Sequence, residues 1–126
     1  MRLLLDTHAL LWWAEDNQAL SGKARRAMKA AEDVYVSAAS AWEIATKVRI
    51  GKLSWQAELG TVTAYVLGQQ FRQLPVSFEH AERAGGLQIA NRDPCDRMLV
   101  AQALLEDMTL VSNETSFDAS GVRRLW

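Results

Sequence analysis

"DPCDRMLVAQALLEDMTLVS", Asp93 to Ser112, sets a helix and a strand back to back. Asp93 is a favoured N-cap residue, Pro94 sits at the first helical position, and Leu99, Val100, Ala103 and Leu104 form an apolar stripe at helical spacing. Met108 to Ser112 then reads as a short strand. The same alternation runs outward in both directions. "RLLL" (Arg2–Leu5) is an uninterrupted apolar run that stops at Asp6 and suits a buried strand, and "HALLWWAE" (His8–Glu15) turns helical. Ser21 caps a second helix, in which Ala24, Ala27, Met28 and Ala31 recur at i, i+3, i+4 and i+7. "VYVS" (Val34–Ser37) is β-rich, and "SAWE" (Ser40–Glu43) matches a Ser-x-x-Glu capping box that predicts a helix from there to about Gly51. Beyond it we expect a helix over Leu59–Phe71, a strand in "QLPVS" (Gln73–Ser77), and a helix from Phe78 to Ala84 capped by Ser77 and ended by Gly85 and Gly86. "NETSFDASG" reads as a polar loop and "VRRL" (Val122–Leu125) as a last strand. Strands alternating with helices predict an α/β fold, a three-layer sandwich whose mostly parallel central sheet is flanked by helices.

Composition bounds the rest. With 126 residues, 49% hydrophobic and 23% charged, the chain suits one globular domain over residues 1–126. Its one cysteine excludes an intramolecular disulfide, no run of about 18 apolar residues could span a bilayer, and the N-terminus lacks a signal-peptide layout. The expectation is a cytoplasmic protein with no membrane partner. A formal charge of −1 argues against a generally basic nucleic-acid binder, so any such role must come from a local patch.

The acids fall where ligands bind in parallel sheets, at the carboxyl ends of the strands. Asp6 ends the first strand, Glu43 lies in the first turn of the helix after the second, Asp93 and Asp96 open the long helix, and Glu114 follows "TLVS" by two residues. Each has a structural explanation as a cap or a dipole partner. Asp6 has the weakest one, because a charge ending a buried strand is costly without compensation. Carboxylates about 4 Å apart repel by about 4 kcal/mol at an effective dielectric of 20, so such a cluster calls for a cation. Oxygen ligands without paired histidine or cysteine favour Mg²⁺, or Mn²⁺, over Zn²⁺. A hydrated divalent ion at an open edge suits phosphodiester hydrolysis by an activated water. No covalent nucleophile is evident: Cys95 has no histidine near it in sequence and reads as a small buried apolar residue.

"LLLDTHALLWW", "SAASAWEI", "DPCDRMLVAQAL" and "MTLVSNETSF", in this order and spacing, resemble a PIN-domain ribonuclease, specifically the toxin of a VapBC-type toxin–antitoxin pair. The resemblance covers nearly the whole chain. It implies a metal-dependent endoribonuclease with Asp6, Glu43 and Asp96 as the catalytic, metal-holding set. Asp93 matches the first acid of the family's "DPFDR" pattern, where Cys95 replaces phenylalanine, and either assists the metal or caps the helix. Glu114 falls where the family usually has aspartate, one methylene longer, so its contact could run through water. Thr7, Ser40 and Ser112 are hydroxyls near this pocket, suited to supporting the carboxylates or to capping. The resemblance also implies a homodimer and a small VapB-like antitoxin as partner.

If four pocket acids are set aside with metal, the formal charge of the remainder moves from −1 to +3. Candidate contacts to RNA phosphates are Arg97, beside the pocket, Arg25 and Arg26 on the second helix, and Lys47 past "WEI". The bland reading of each is a solvated face or a salt bridge. The five tryptophans read mainly as core or interface anchors, and neither His8 nor His80 is given a catalytic part. Two alternatives stay open. One is a catalytically weak PIN-like protein that acts as a binding partner, for which Glu114 leaves room. The other is a different Mg²⁺-dependent phosphoryl-transfer enzyme, against which "DTH" lacks an Asp-x-Asp after the first strand.

Overall fold

The computed structural model describes residues 1–126. In chain order it contains β1 (Arg2–Leu5), α1 (Thr7–Ala14), α2 (Gly22–Ala30), β2 (Asp33–Ser37), α3 (Ala38–Arg49), α4 (Val62–Gly68), β3 (Arg72–Leu74), α5 (Phe78–Gly86), α6 (Pro94–Leu105), β4 (Thr109–Val111) and β5 (Arg124–Leu125). Short 3-10 turns cover Ala57–Leu59 and Thr115–Ser120. The strands form one sheet in the order β3-β2-β1-β4-β5, and every neighbouring pair is parallel.

Alternation along the strands builds two cores from one sheet. Leu3 and Leu5 of β1 join Val34 and Val36 of β2 on the face covered by Ala9, Leu10, Ala24, Met28, Ile44 and Val66 of α1 to α4. Leu4 and Leu110 face the other way, against Leu99, Val100 and Ala103 of α6. Helices on both faces of a parallel sheet make the predicted three layers.

Local chemistry moved several boundaries. The Ser37 hydroxyl accepts from the Ala39 N–H and starts α3 at Ala38, so the capping box expected at Ser40 does not form and Ser40 lies inside the helix. The helix expected over Leu59–Phe71 shrinks to α4, because Gly60 takes a left-handed φ of 75° and Thr61 then caps a fresh start at the Ala64 N–H. Strand β3 stops before Pro75, which has no N–H for the ladder. Helix α5 is capped by Ser77 as expected but continues through Gly85 and Gly86. Part of the polar loop after β4 coils into the second 3-10 turn.

Candidate active site

The chain leaves β1 and β2 over the face carrying α1 to α4, and reaches β4 by α5 and α6 on the other side. The switch falls between β1 and β4, and the carboxyl ends of these strands frame a crevice of the kind where parallel sheets bind ligands. Asp6 stands at its floor. The Asp6 N–H donates to the Val111 carbonyl at 3.0 Å, while its Oδ1 accepts from the Ala9 N–H at 2.8 Å, which makes it the N-cap of α1 as well as the end of β1. It is 5% exposed. Burial pushes its carboxyl above the ordinary value; the Ser112 hydroxyl, the Ala9 N–H and His8 act against this, and Asp96 adds to it.

Asp96 occupies the first turn of α6 and is half-buried. Its N–H donates to Oδ1 of Asp93, the N-cap, at 2.9 Å, and its own Oδ2 accepts from Asn91 Nδ2 at 3.1 Å. Burial raises the Asp96 carboxyl too, Asn91 opposes it, and Asp93, Glu43 and Glu114 push it further up. Glu43, on α3, Asp93 and Cys95 each bring a ligand atom within 4.8 Å of one another. Glu114 is exposed, ahead of the second 3-10 turn, and its N–H donates to Ser112 Oγ at 3.0 Å. Asp96 thus feels Asp93, Glu43 and Glu114, and Asp6 feels Asp96, but the close grouping of ligand atoms takes in Glu43 and Asp93 and leaves out Asp6, Asp96 and Glu114.

One cation faces them. Lys47 Nζ sits 2.8 Å from Glu43 Oε2, one turn along α3, and this hydrogen bond is the main reason its ammonium is held above the ordinary range. A single ammonium leaves most of the repulsion in place, and burial beside it, so the pocket suits a hard divalent cation. The sulfur is a poor ligand for one. Burial, followed by Glu43, Asp93 and Asp96, pushes the Cys95 thiol up to about 11, so it stays protonated at neutral pH, with Sγ 3.8 Å from the Ala39 carbonyl. Cys95 is half-buried, less enclosed than the sequence reading had it.

The supporting hydroxyls divide. Ser112 is fully buried and ties Asp6 to the Glu114 backbone. Thr7 Oγ1 donates to Ser40 Oγ at 3.1 Å, joining the starts of α1 and α3 rather than touching an acid. Among the basic residues, Arg97 makes no salt bridge and turns inward. Its guanidinium donates to the carbonyls of Ala84 (3.0 Å), Gly85 (3.3 Å), Leu87 (2.7 Å), Ile89 (3.4 Å) and Asn91 (2.8 Å). Arg25 pairs with Asp16 at 3.1 Å and lies over the Trp13 ring, near the far end of α1 and away from the acids. Arg26 is exposed on the same helix. Trp12, Trp13, Trp55 and Trp126 pack on the core, but Trp42, beside Glu43, is 68% exposed. Asn91 was not singled out from the sequence; an asparagine two residues before an N-cap aspartate, able to form an Asx turn, was the available signal.

A family model described as PIN domain matches residues 3–121. The chain belongs to the PIN-domain family. Over 120 residues this PIN domain is 28% identical to Ribonuclease VapC22 of Mycobacterium tuberculosis, with 89% of this chain and 86% of that relative covered. Its fold is similar to that in DNA-bound VapBC from Salmonella typhimurium, with a TM-score of 0.73 at 15% identity over 99% of this chain and 97% of that one. FitAcB from Neisseria gonorrhoeae gives a TM-score of 0.67 at 22% identity, over 98% of this chain and 96% of that one.

Proposed function

We propose that this PIN domain is a Mg²⁺- or Mn²⁺-dependent endoribonuclease, the toxin of a VapBC-type pair, folded as one domain. The observation that carries the reading is the set of carboxylates at the β1/β4 switch point, where Asp6 is pushed toward protonation by burial and by Asp96, and Asp96 by burial and by Asp93, Glu43 and Glu114. The likeness to Ribonuclease VapC22 supports the choice of RNA as substrate. The fold's likeness to chains solved in VapBC complexes supports a small antitoxin as partner.

A divalent ion bound there supplies positive charge that acidifies a water and offsets the negative charge building on the leaving oxygen. Asp6, Asp96 and Glu43 are the residues we assign to hold it, with Asp93 beside Glu43, and exposed Glu114 would supply a further carboxylate from the rim. Asp6 is fixed by its two bonds, from the Ala9 N–H and Ser112, and so defines the floor on which a phosphate is oriented. Lys47 keeps Glu43 extended toward the pocket and remains partly exposed, able to turn to a phosphate once Glu43 is otherwise engaged. Exposed Arg26, by contrast, would act only through a long RNA. A homodimer and a cytoplasmic location belong to the same proposal; no helix of the chain is long and apolar enough to cross a membrane.

The test is cleavage of a labelled RNA by purified chain in EDTA, Mg²⁺ or Mn²⁺, with Asp96→Asn as control. Cleavage that needs the ion and is lost in the variant is expected. Cleavage in EDTA, or unchanged cleavage by Asp96→Asn, overturns the assignment. RNA binding without any cleavage favours the catalytically weak binding partner instead.

A further inference from the structure

The loop between α5 and α6 carries no regular structure from Leu87 to Asp93, yet it is closely tied. Asn91 is at the centre of the ties, through both side-chain polar atoms and its carbonyl. Its Oδ1 accepts from the Asp93 N–H at 2.9 Å, setting the turn that leads into α6. Its Nδ2 donates to Asp96 Oδ2 at 3.1 Å. Its carbonyl accepts from Arg97 Nη1 at 2.8 Å, and the same guanidinium gathers four further carbonyls of residues 84 to 89. Arg97 and Asp96 are adjacent on α6, so one helical turn presents both the acid and the cation that fixes the loop holding it. We propose that Asn91 is a positioning residue for the acidic site: its amide fixes Oδ2 of Asp96 so that Oδ1 faces the crevice, and Arg97 keeps Asn91 in place through the loop carbonyls.

The physical grounds are simple. A carboxylate on a free χ2 rotor samples both faces, and a neutral donor to one oxygen fixes it without adding a competing charge. Asn91 Nδ2, 3.1 Å from Oδ2, is the side-chain donor that the Asp96 carboxylate has, so its removal leaves that rotor without a fixed partner. Groups that hold a metal-binding side chain in this way typically contribute 10- to 100-fold to metal affinity.

The inference rests on the proposed metal-dependent nuclease, and its test separates the two. Mn²⁺ binding is measured by calorimetry on the whole chain, for wild type, Asn91→Ala and Asn91→Asp, together with each metal-free melting temperature. Asn91→Asp keeps the acceptor of the turn and the volume, removes the donor and adds a negative charge beside Asp96; that charge by itself favours cation binding, so a loss of affinity reads the missing donor. We expect both variants to bind Mn²⁺ about 10-fold or more weakly, with Asn91→Asp still folded cooperatively; a role in the loop turn alone would leave Asn91→Asp at wild-type affinity, and that result overturns the inference while leaving the nuclease reading standing. Should Asn91→Ala fail to fold, Asn91→Asp decides. A wild-type chain that takes up no Mn²⁺ overturns the nuclease reading and this inference with it.

Discussion

Asp6→Asn should make the metal-free chain more stable and abolish its response to divalent ions. Asparagine fills the same space and keeps an oxygen for the Ala9 N–H, so α1 stays capped while the buried charge is removed. Taking an ionised carboxylate out of water costs several kcal/mol, and the two hydrogen bonds it accepts, from Ala9 and Ser112, return about 1.5–3 kcal/mol each. Burial outweighs them, because the Asp6 carboxyl is pushed up and not down. The remainder favours the variant and shows as a higher Tm in the metal-free chain. The pH dependence has a definite sign. A carboxyl whose folded-state pKa lies above its unfolded value holds its proton longer in the native state, so wild-type stability falls as pH rises from 3.8 through the folded value. The gain in Asp6→Asn is therefore absent below pH 3.8 and fully present at neutral pH. Saturating Mn²⁺ reverses the order, since 100-fold excess over Kd stabilises the wild type by about 2.7 kcal/mol and leaves the variant unmoved. Thermal melts in EDTA and in Mn²⁺, at acid and neutral pH, read all four values. A variant no more stable than wild type in EDTA at neutral pH, or one stabilised equally by Mn²⁺, refutes the reasoning.

Other perturbations probe the rest of the crevice. Arg97→Lys should lower the urea midpoint by an amount worth about 2–4 kcal/mol, because one ammonium cannot serve five carbonyls, while the salt dependence of RNA binding stays as it was. Ser112→Ala removes a fully buried donor to Asp6 and the acceptor of the Glu114 N–H; a loss of about 1–3 kcal/mol in chemical denaturation is expected, with weaker Mn²⁺ binding alongside. Cys95, held at about 11, should react with a thiol reagent at pH 7.5 about two orders of magnitude more slowly than free cysteine, and faster once Mg²⁺ offsets the acids around it. Lys47→Met should destabilise the metal-free chain and have little effect in saturating Mn²⁺, as judged by paired melts, since the ion replaces the lost counter-charge of Glu43.

The parallel sheet and its flanking layers were legible because they follow from long-range patterning. Leu3, Leu4 and Leu5 are buried on both faces, and this run could hardly be anything but a central strand. Boundaries were less legible where two capping residues compete. Ser37 and Ser40 both suit an N-cap, and only the strand register of β2, ending at Ser37, decides for the first. Gly60 breaks the expected Leu59–Phe71 helix through its left-handed φ, which glycine permits but does not announce in a sequence. For the site, Asp6, Asp93 and Asp96 could be placed because they sit at a strand end or a helix start, whereas Glu43, expected in the first turn of its helix, lies in the second turn of α3, because Ser37 rather than Ser40 caps that helix. The fate of the cations could not be read, since it depends on side-chain reach. Arg97 turns inward to loop carbonyls and Lys47 to Glu43, and neither choice leaves a periodic trace. Trp42 was read with the other tryptophans as an anchor, but its helix faces it to solvent beside Glu43.

The shared cation is the point on which the account stands or falls, and anomalous scattering from crystals of the chain soaked in Mn²⁺ addresses it directly. The account predicts a peak in the β1/β4 crevice with carboxylate oxygens of Asp6 and Asp96 within about 2.0–2.4 Å, or bridged to it by a single water. Well-ordered crystals with no peak there, or with Mn²⁺ bound only elsewhere on the surface, would contradict it.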